Sequence, residues 1–488
     1  MTEAVRLTPA TLEALEVSGP TYDRAAVRPG IVHIGVGAFH RAHQAAYLDD
    51  LLRLGLADGW GLCGVGLLPG DLRLAEALAD QGWLYTLVLK HGDGRWEPRV
   101  IGSMVEFLHA PSDPEAVLAR LADPATRIVS LTITEGGYKV DLATHRFLAE
   151  DPDVVADLAD PRRPRTVFGF VVEALRRRRA AGVPAFTVQS CDNLPSNGDV
   201  AKVAFTTFAH AVDTELGAWV EQHVAFPNAM VDRITPVTTD EDRAALAERF
   251  GIEDAWPVTC EPFTQWVIED HFPAGRPEWE QVGVQLVDDV LPYELMKLRL
   301  LNCGHQALAY AGYLAGHRLV HDAMTDPDVE RFVRAYWDEA LPTIGELDGI
   351  DVPGYVDVLV ERFSNPSIRD TLARLAADAS DRIPQWMVPV AEANLAADRP
   401  VAATAAVIAS WARYAEGTDD AGEPIDIADR RRERVMANAV LAADRPLAFL
   451  EDRELFRGLV DDERFTTPYL HALEGFRRLG MKAALARL

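Results

Sequence analysis

The chain has 488 residues, 48% of them hydrophobic and 25% charged, with a formal net charge of −27. That length argues for two or more domains and supplies apolar content for full cores. The acidic excess argues against nucleic acid and anionic membranes, which want basic surfaces, and leaves a small neutral ligand open.

The opening residues, Met-Thr-Glu-Ala-Val-Arg-Leu-Thr-Pro, show no basic region followed by an apolar core, so no signal peptide is expected. No apolar run reaches membrane-spanning length. Ile31–Ile34 reads as a first strand, followed by Gly35-Val-Gly37 and a helix through 44–54. The segment His33-Ile-Gly35-Val-Gly37-Ala38-Phe39-His40-Arg41 has the setting of a dinucleotide fingerprint, in which glycines make a tight turn and let backbone approach a pyrophosphate. The third glycine position holds His40, so a plain strand–turn–helix remains open. His40 and His43 stand three apart, but no third ligand lies nearby, and no metal is expected.

Leu62–Leu67 reads as a second strand and Asp71–Leu78 as the opening of a helix. Asp71 is placed either to hold an adenosine ribose hydroxyl, which would favour NAD over NADP by repelling a 2′-phosphate, or to cap that helix. Arg127–Ile133 and Ala185–Gln189 read as buried strands, the latter preceded by a helix over Val167–Arg179. Four arginines, Arg176 to Arg179, close that helix, an ordinary place for cations. Strands alternating with helices predict a parallel α/β sheet.

From about Pro292 long helical patterns follow one another; Ala402–Ala415 and Glu433–Ala443 are clear, with a polar loop over Glu416–Pro424 between them. We therefore expect an α/β dinucleotide domain over residues 1–288 and a helical domain over 289–488. The cysteines, Cys63, Cys191, Cys260 and Cys303, are scattered without a C-x-x-C pair. They read as reduced thiols of a cytoplasmic protein.

The most informative stretch opens the second domain: Lys297-Leu-Arg-Leu-Leu-Asn302-Cys-Gly304-His305. In an α-helix Asn302 and His305 lie about 60° apart and Lys297 about 80° from His305, so the three polar groups share one arc. Gly304 lets something approach closely. A buried lysine is costly unless it is paired or its pKa falls, and a lowered pKa makes a general base. The alternative is a half-buried helix with a snorkelling lysine and a satisfied core histidine. Following directly on the boundary, this helix is expected to line an interdomain cleft.

Several separated motifs occur in order: Gly35-Val-Gly-Ala-Phe-His-Arg-Ala-His43, Thr132-Ile-Thr-Glu-Gly-Gly-Tyr138, Ser190-Cys-Asp-Asn193-Leu-Pro-Ser-Asn-Gly198, Phe226-Pro-Asn-Ala-Met-Val-Asp232-Arg-Ile-Thr-Pro236, Gln265-Trp-Val-Ile-Glu-Asp270, Lys297…Asn302…His305 and Arg362-Phe-Ser-Asn-Pro366. Together they resemble the mannitol dehydrogenase family of long-chain polyol-specific dehydrogenases and reductases, over nearly the whole chain. The resemblance implies an extended Rossmann-type domain, a mostly helical C-terminal domain, no catalytic metal, and NAD(P)-dependent interconversion of a sugar alcohol and a ketose or of related sugar acids. It also inclines us to a monomer.

By the same resemblance Lys297 is the general base, flanked by Asn193 and Asn302, with His305 on the substrate and Glu135 near the proton path. Asp232 and Arg374 match positions that bind substrate hydroxyls, and Arg382 is a second candidate. The cofactor, NAD rather than NADP, would meet Gly35, Gly37, Ala38, Phe39 and Asp71, its nicotinamide half near Thr134, Glu135 and Asn193. Plain structural roles stay open: Asn193 shaping a turn, Asp232 capping, Arg374 pairing with Asp370 four positions earlier. The expected reaction is mannitol to fructose. Fructuronate–mannonate reduction, arabinitol oxidation and a non-catalytic dinucleotide sensor are the rivals.

Overall fold

The protein is described from a computed structural model, in residues 4–141, 144 and 146–487. The chain forms two compact units: the first runs to Leu291, and the second begins at Pro292 and takes in Gly92–Gly94.

The first unit is built on five parallel strands: β1 (Pro29–Ile34), β2 (Gly61–Gly66), β3 (Met104–His109), β4 (Ile128–Leu131) and β5 (Thr187–Ser190). They lie in the order β5-β4-β1-β2-β3. β1 is central, with Ile31 opposite Leu62 on one side and Ile128 on the other, through to Ile34 opposite Val65 and Leu131. Alternate side chains go to opposite faces. Val32, Ile34, Val65, Val129 and Leu131 pack against Val171, Leu175 and Phe205. Ile31, Leu62 and Ile128 pack with Leu48, Leu51 and Leu78 on the other face. Helices on both faces explain why these strands are apolar throughout. The order 3-2-1-4-5 is that of a Rossmann-type sheet, in which the chain reverses direction of growth beside β1.

The helix expected after the glycine turn is two pieces, Ala38–Ala42 and Gln44–Arg53, broken at His43. The helix expected from Asp71 begins at Leu72, after a 3₁₀ turn over Pro69–Asp71. The arginine run is held structurally: Arg176 and Arg177 bond Glu173, and Arg178 donates to the carbonyls of Pro184, Leu121 and Asp123. A short sheet adds β6 (Ala229–Asp232) antiparallel to β7 (Gln265–Glu269), which pairs in parallel with Gln285–Val287.

The second unit is helical. Helix Cys303–Leu314 is buried on nearly every side. Its Ala and Gly positions let Pro327–Ala340, Leu372–Ala376 and Ala402–Tyr414 pack closely around it. The buried Glu339 carboxylate caps the last of these, accepting from the Ala403 and Thr404 N–H groups and the Thr404 hydroxyl. That places negative charge at a helix N-terminus, where it is favoured. All four cysteines are buried and free; burial pushes the Cys260 thiol up to about 11 and Cys303 to about 12. No helix among the described residues is long and apolar enough to cross a membrane.

Candidate active site

The carboxyl ends of β1, β4 and β5 lie side by side, so the loops that follow them, Gly35–Phe39, Thr132–Tyr138 and Cys191–Ser196, leave the sheet together. In open α/β sheets ligands bind at this edge. Gly35 shows why a glycine is needed there. Its φ is +91°, and a Cβ would lie 2.2 Å from the Thr132 carbonyl oxygen. The Thr132 hydroxyl donates to the Gly35 carbonyl at 2.7 Å, locking the two loops together. Gly37 differs: it is exposed and extended, and a Cβ would meet nothing closer than 3.9 Å. Its bare backbone faces open space, the cradle a pyrophosphate requires.

At the third fingerprint position His40 substitutes a flat ring for a glycine. It stacks on His33 of β1, with centroids 3.4 Å apart and planes 6° from parallel. Burial pushes the His33 imidazole down to about 3, and its nitrogens meet the Ser130 and Thr132 hydroxyls at 2.8 and 2.9 Å. His43 turns elsewhere, to the Gln265 carbonyl at 2.9 Å and the Gln44 amide at 3.0 Å, with Phe39 stacked on its ring. Ala38 opens the short helix. Among the described residues no cluster of three metal-ligating side chains occurs.

Asp71 follows β2. It occupies the N-cap position of Leu72–Asp80, yet its carboxylate makes no cap bond to that helix. It folds back to accept the Leu68 N–H at 2.9 Å, in space that Gly66 leaves clear. Asp71 thus stands at the β2 end with its side chain fixed, as ribose recognition requires.

Between the other two loops lies a carboxylate whose role the sequence reading passed over. Asp192 is buried and accepts the N–H groups of Ile133 and Thr134, each at 2.9 Å, and the Tyr138 hydroxyl at 2.7 Å. Burial raises its pKa; these three hydrogen bonds oppose the rise. The clamp holds Thr134 at φ +65° and fixes where Glu135 starts its 3₁₀ turn. Asn193, the next residue after Asp192, is exposed on the β5 loop, and Thr134 and Glu135 are exposed on the β4 loop. Asp232, at the end of β6 opposite Gln265, is buried.

In the second unit Lys297, Asn302 and His305 are all buried, at 7%, 7% and 9% exposure. Lys297–Asn302 is a π-helical segment between the α-helices Leu291–Met296 and Cys303–Leu314, with Cys303 N–H reaching back to the Leu298 carbonyl. The 100° spacing expected from Lys297 onward therefore fails over its first six residues. Only Asn302 and His305, at the α-helical end, keep their expected relation. Such wide turns are frequent at functional sites. Glu294, one turn earlier, is buried too. His305 stacks on Phe363, 4.2 Å between centroids, which accounts for the Phe in Arg362-Phe-Ser-Asn-Pro366.

Arg374 pairs with Asp370 through Nε at 2.6 Å, while its side chain is 61% exposed. Burial works to raise the Asp370 carboxyl, but Arg374, with a smaller contribution from His305, holds it below the usual carboxylate range. Arg382 is half-buried and donates to the Leu375 carbonyl at 3.1 Å.

Residues 29–281 match the mannitol dehydrogenase Rossmann domain, and residues 289–476 match the mannitol dehydrogenase C-terminal domain. The chain belongs to the mannitol dehydrogenase family. As a member of a dehydrogenase family it is an oxidoreductase. It is 46% identical to a mannitol 2-dehydrogenase of Cereibacter sphaeroides over 96% of this chain and 98% of that one. It is 44% identical to one of Pyrenophora tritici-repentis over 99% of this chain and 86% of that one. Among solved structures, Pseudomonas fluorescens mannitol 2-dehydrogenase in ternary complex with NAD and D-mannitol aligns over 99% of both chains, with 45% identity and a TM-score of 0.88. A substrate-free D-sorbitol dehydrogenase aligns over 98% of this chain and 100% of that chain, at 38% identity and 0.90.

Within this chain, Asp192 and Phe363 each sit inside a motif already singled out. The contacts that Asp192 and Phe363 make reach far along the chain and leave no local mark in the sequence. Asp192 holds the β4 loop, and Phe363 packs against the His305 ring.

Proposed function

We propose that the chain is an NAD-dependent polyol dehydrogenase that oxidises a mannitol-like alditol to a ketose, with Lys297 as general base and no metal. One observation carries this reading: a lysine, an asparagine and a histidine, each buried, within one short helical stretch. Burying such groups costs stability unless they are paired or hydrogen-bonded, and a site that uses their chemistry is a reason to keep them there. The ternary complex of the Pseudomonas fluorescens relative with NAD and D-mannitol supports the cofactor and the substrate class.

The first unit fits the dinucleotide. Gly35 and Gly37 supply the tight turn and open backbone, and Asp71 supplies an acceptor for a ribose hydroxyl whose charge disfavours a 2′-phosphate. Bound NAD⁺ supplies the hydride acceptor. The protein must then take a proton and stabilise a developing alkoxide. Burial disfavours an ammonium, the direction a base at Lys297 needs. Asn302 and Asn193 donate N–H groups that stabilise negative charge without taking the proton. His305, held against Phe363, and Asp232 orient substrate hydroxyls, and Glu135 hands the proton onward.

Arg374 bears on the choice of substrate. Its charge is engaged by Asp370, which favours a neutral polyol over a hexuronate. Initial rates on mannitol, arabinitol, sorbitol and mannonate, with NAD⁺ and NADP⁺, test the reading. Mannitol with NAD⁺ is expected to be turned over fastest. Preference for mannonate would shift it to a hexuronate reductase, and no NADH from any polyol would favour a non-catalytic sensor.

A further inference from the structure

A π turn is hard to keep. It widens the hydrogen-bond ladder to i→i+5, and carbonyls at its end lose their regular α-helical donors. In this protein two consecutive carbonyls of the Lys297–Asn302 segment receive side-chain donors from one neighbouring helix, Pro327–Ala340. The Tyr336 hydroxyl donates to the Arg299 carbonyl at 3.0 Å, and the Trp337 indole N–H donates to the Leu300 carbonyl at 2.8 Å. Both aromatic side chains are fully buried. Adjacent residues on a helix point about 100° apart, so two such donors reaching two successive carbonyls is a specific fit of one backbone to the other. The Trp337 donor is admitted by Gly304, where a Cβ would stand 2.7 Å from the indole nitrogen and 2.9–3.0 Å from two ring carbons. The close approach that Gly304 permits is therefore that of an indole.

The turn changes what faces what. Lys297 and Asn302 are five apart, about 140° around an uninterrupted α-helix. In an i→i+5 ladder that spacing takes the place that i, i+4 has in an α-helix, and the two residues share a face. We propose that Tyr336 and Trp337, with Gly304 making room, are positioning residues that hold the π turn and so aim Lys297 and Asn302 at the same alcohol oxygen. This rests on the reading that Lys297 and Asn302 carry the reaction. Neither aromatic residue touches the reacting atoms; both act through the backbone.

The test is a kinetic cycle on the full-length enzyme with mannitol and NAD⁺. Trp337→Phe removes the donor and keeps an aromatic filler. It should lower kcat at least ten-fold, displace the acid limb of the kcat/KM pH profile by half a unit or more, and leave the Kd for NAD⁺ within two-fold. Gly304→Ala should do the same by pushing the indole away. Because Phe lacks both the indole nitrogen and the outer ring carbon that the new methyl would strike, Gly304→Ala should cost less than three-fold in the Trp337→Phe background. Tyr336→Phe, which loses only a hydroxyl, should move kcat and the pH profile in the same direction and serves if Trp337→Phe does not fold. Variants with lowered Tm but wild-type kcat and pH profile would overturn the proposal, as would additive effects of Gly304→Ala and Trp337→Phe. Lys297→Ala separates the two levels. If it is inactive while the other variants are normal, only the positioning role fails; if it is active, the reading beneath it fails.

Discussion

The Asp192 carboxylate receives the backbone N–H of Thr134 at 2.9 Å, and Thr134 holds a φ of +65°. A β-branched residue rarely adopts that conformation, at a cost of about 1–3 kcal/mol. The same carboxylate accepts the Ile133 N–H and the Tyr138 hydroxyl, so one buried anion keeps the β4 loop in a shape it would otherwise leave. Asp192→Asn confronts one of those N–H donors with an NH₂ group. Losing a charge-assisted bond of about 1.5–3 kcal/mol should lower kcat/KM roughly ten- to a hundred-fold and weaken NAD⁺ binding. Unchanged kinetics and cofactor affinity would show that the loop shape does not matter to catalysis.

The glycine turn yields a contrast between two neighbours. Gly35→Ala drives a methyl against the Thr132 carbonyl at a positive φ, so it should destabilise the protein by more than about 1 kcal/mol and abolish cofactor binding. Gly37→Ala meets open space in an extended conformation. It should leave the thermal midpoint unchanged and weaken only NADH binding, measured by fluorescence titration. An equal loss of stability in both variants would contradict this division.

The sheet and the glycine turn were legible in the sequence because they rest on local signals, apolar runs of strand length and glycines at a strand end. The strand ends were read a residue or two too far, as Arg127–Ile133 against Ile128–Leu131 shows, because Thr132 and Ile133 continue the apolar pattern but leave the ladder to meet Gly35 and Asp192. The wide turn at Lys297 was not legible. Its apolar spacing fits an α-helix equally well, and the donors that sustain it, Tyr336 and Trp337, lie some forty positions away. Asp71 shows a third case: ribose binding and helix capping both suit an acid there, and only the structure shows that its carboxylate makes no cap bond to Leu72–Asp80 and accepts the Leu68 N–H instead.

Asn193 and Asn302 are proposed to donate to the developing alkoxide. Alanine at either position should lower kcat by about 10²–10³ if each supplies one such donor. Steady-state kinetics distinguish this from simple substrate holding, since a change confined to KM would mark ground-state binding alone.

The stacked pair of buried histidines sets a pH dependence of stability. Burial holds the His33 ring to about 3 and pushes His40 well below its ordinary value, where the charge of Arg41 presses it further down. The folded rings stay neutral while unfolded ones take up protons below about 6.5, so stability falls as pH drops through 6.5 toward the folded values. His40→Phe removes one of these sites. Between pH 7.5 and pH 5 the variant should lose less stability than the wild type in urea denaturation. Parallel losses would show that His40 charges freely in the fold.

The central claim is that the Lys297 amine takes the alcohol proton. Lys297→Ala, mixed with NAD⁺ and excess mannitol in a single-turnover experiment read at the NADH absorbance band, tests it most directly. The expected result is no NADH formation beyond background, with NAD⁺ binding by the variant still measurable. NADH appearing at near the wild-type rate would remove Lys297 from the mechanism.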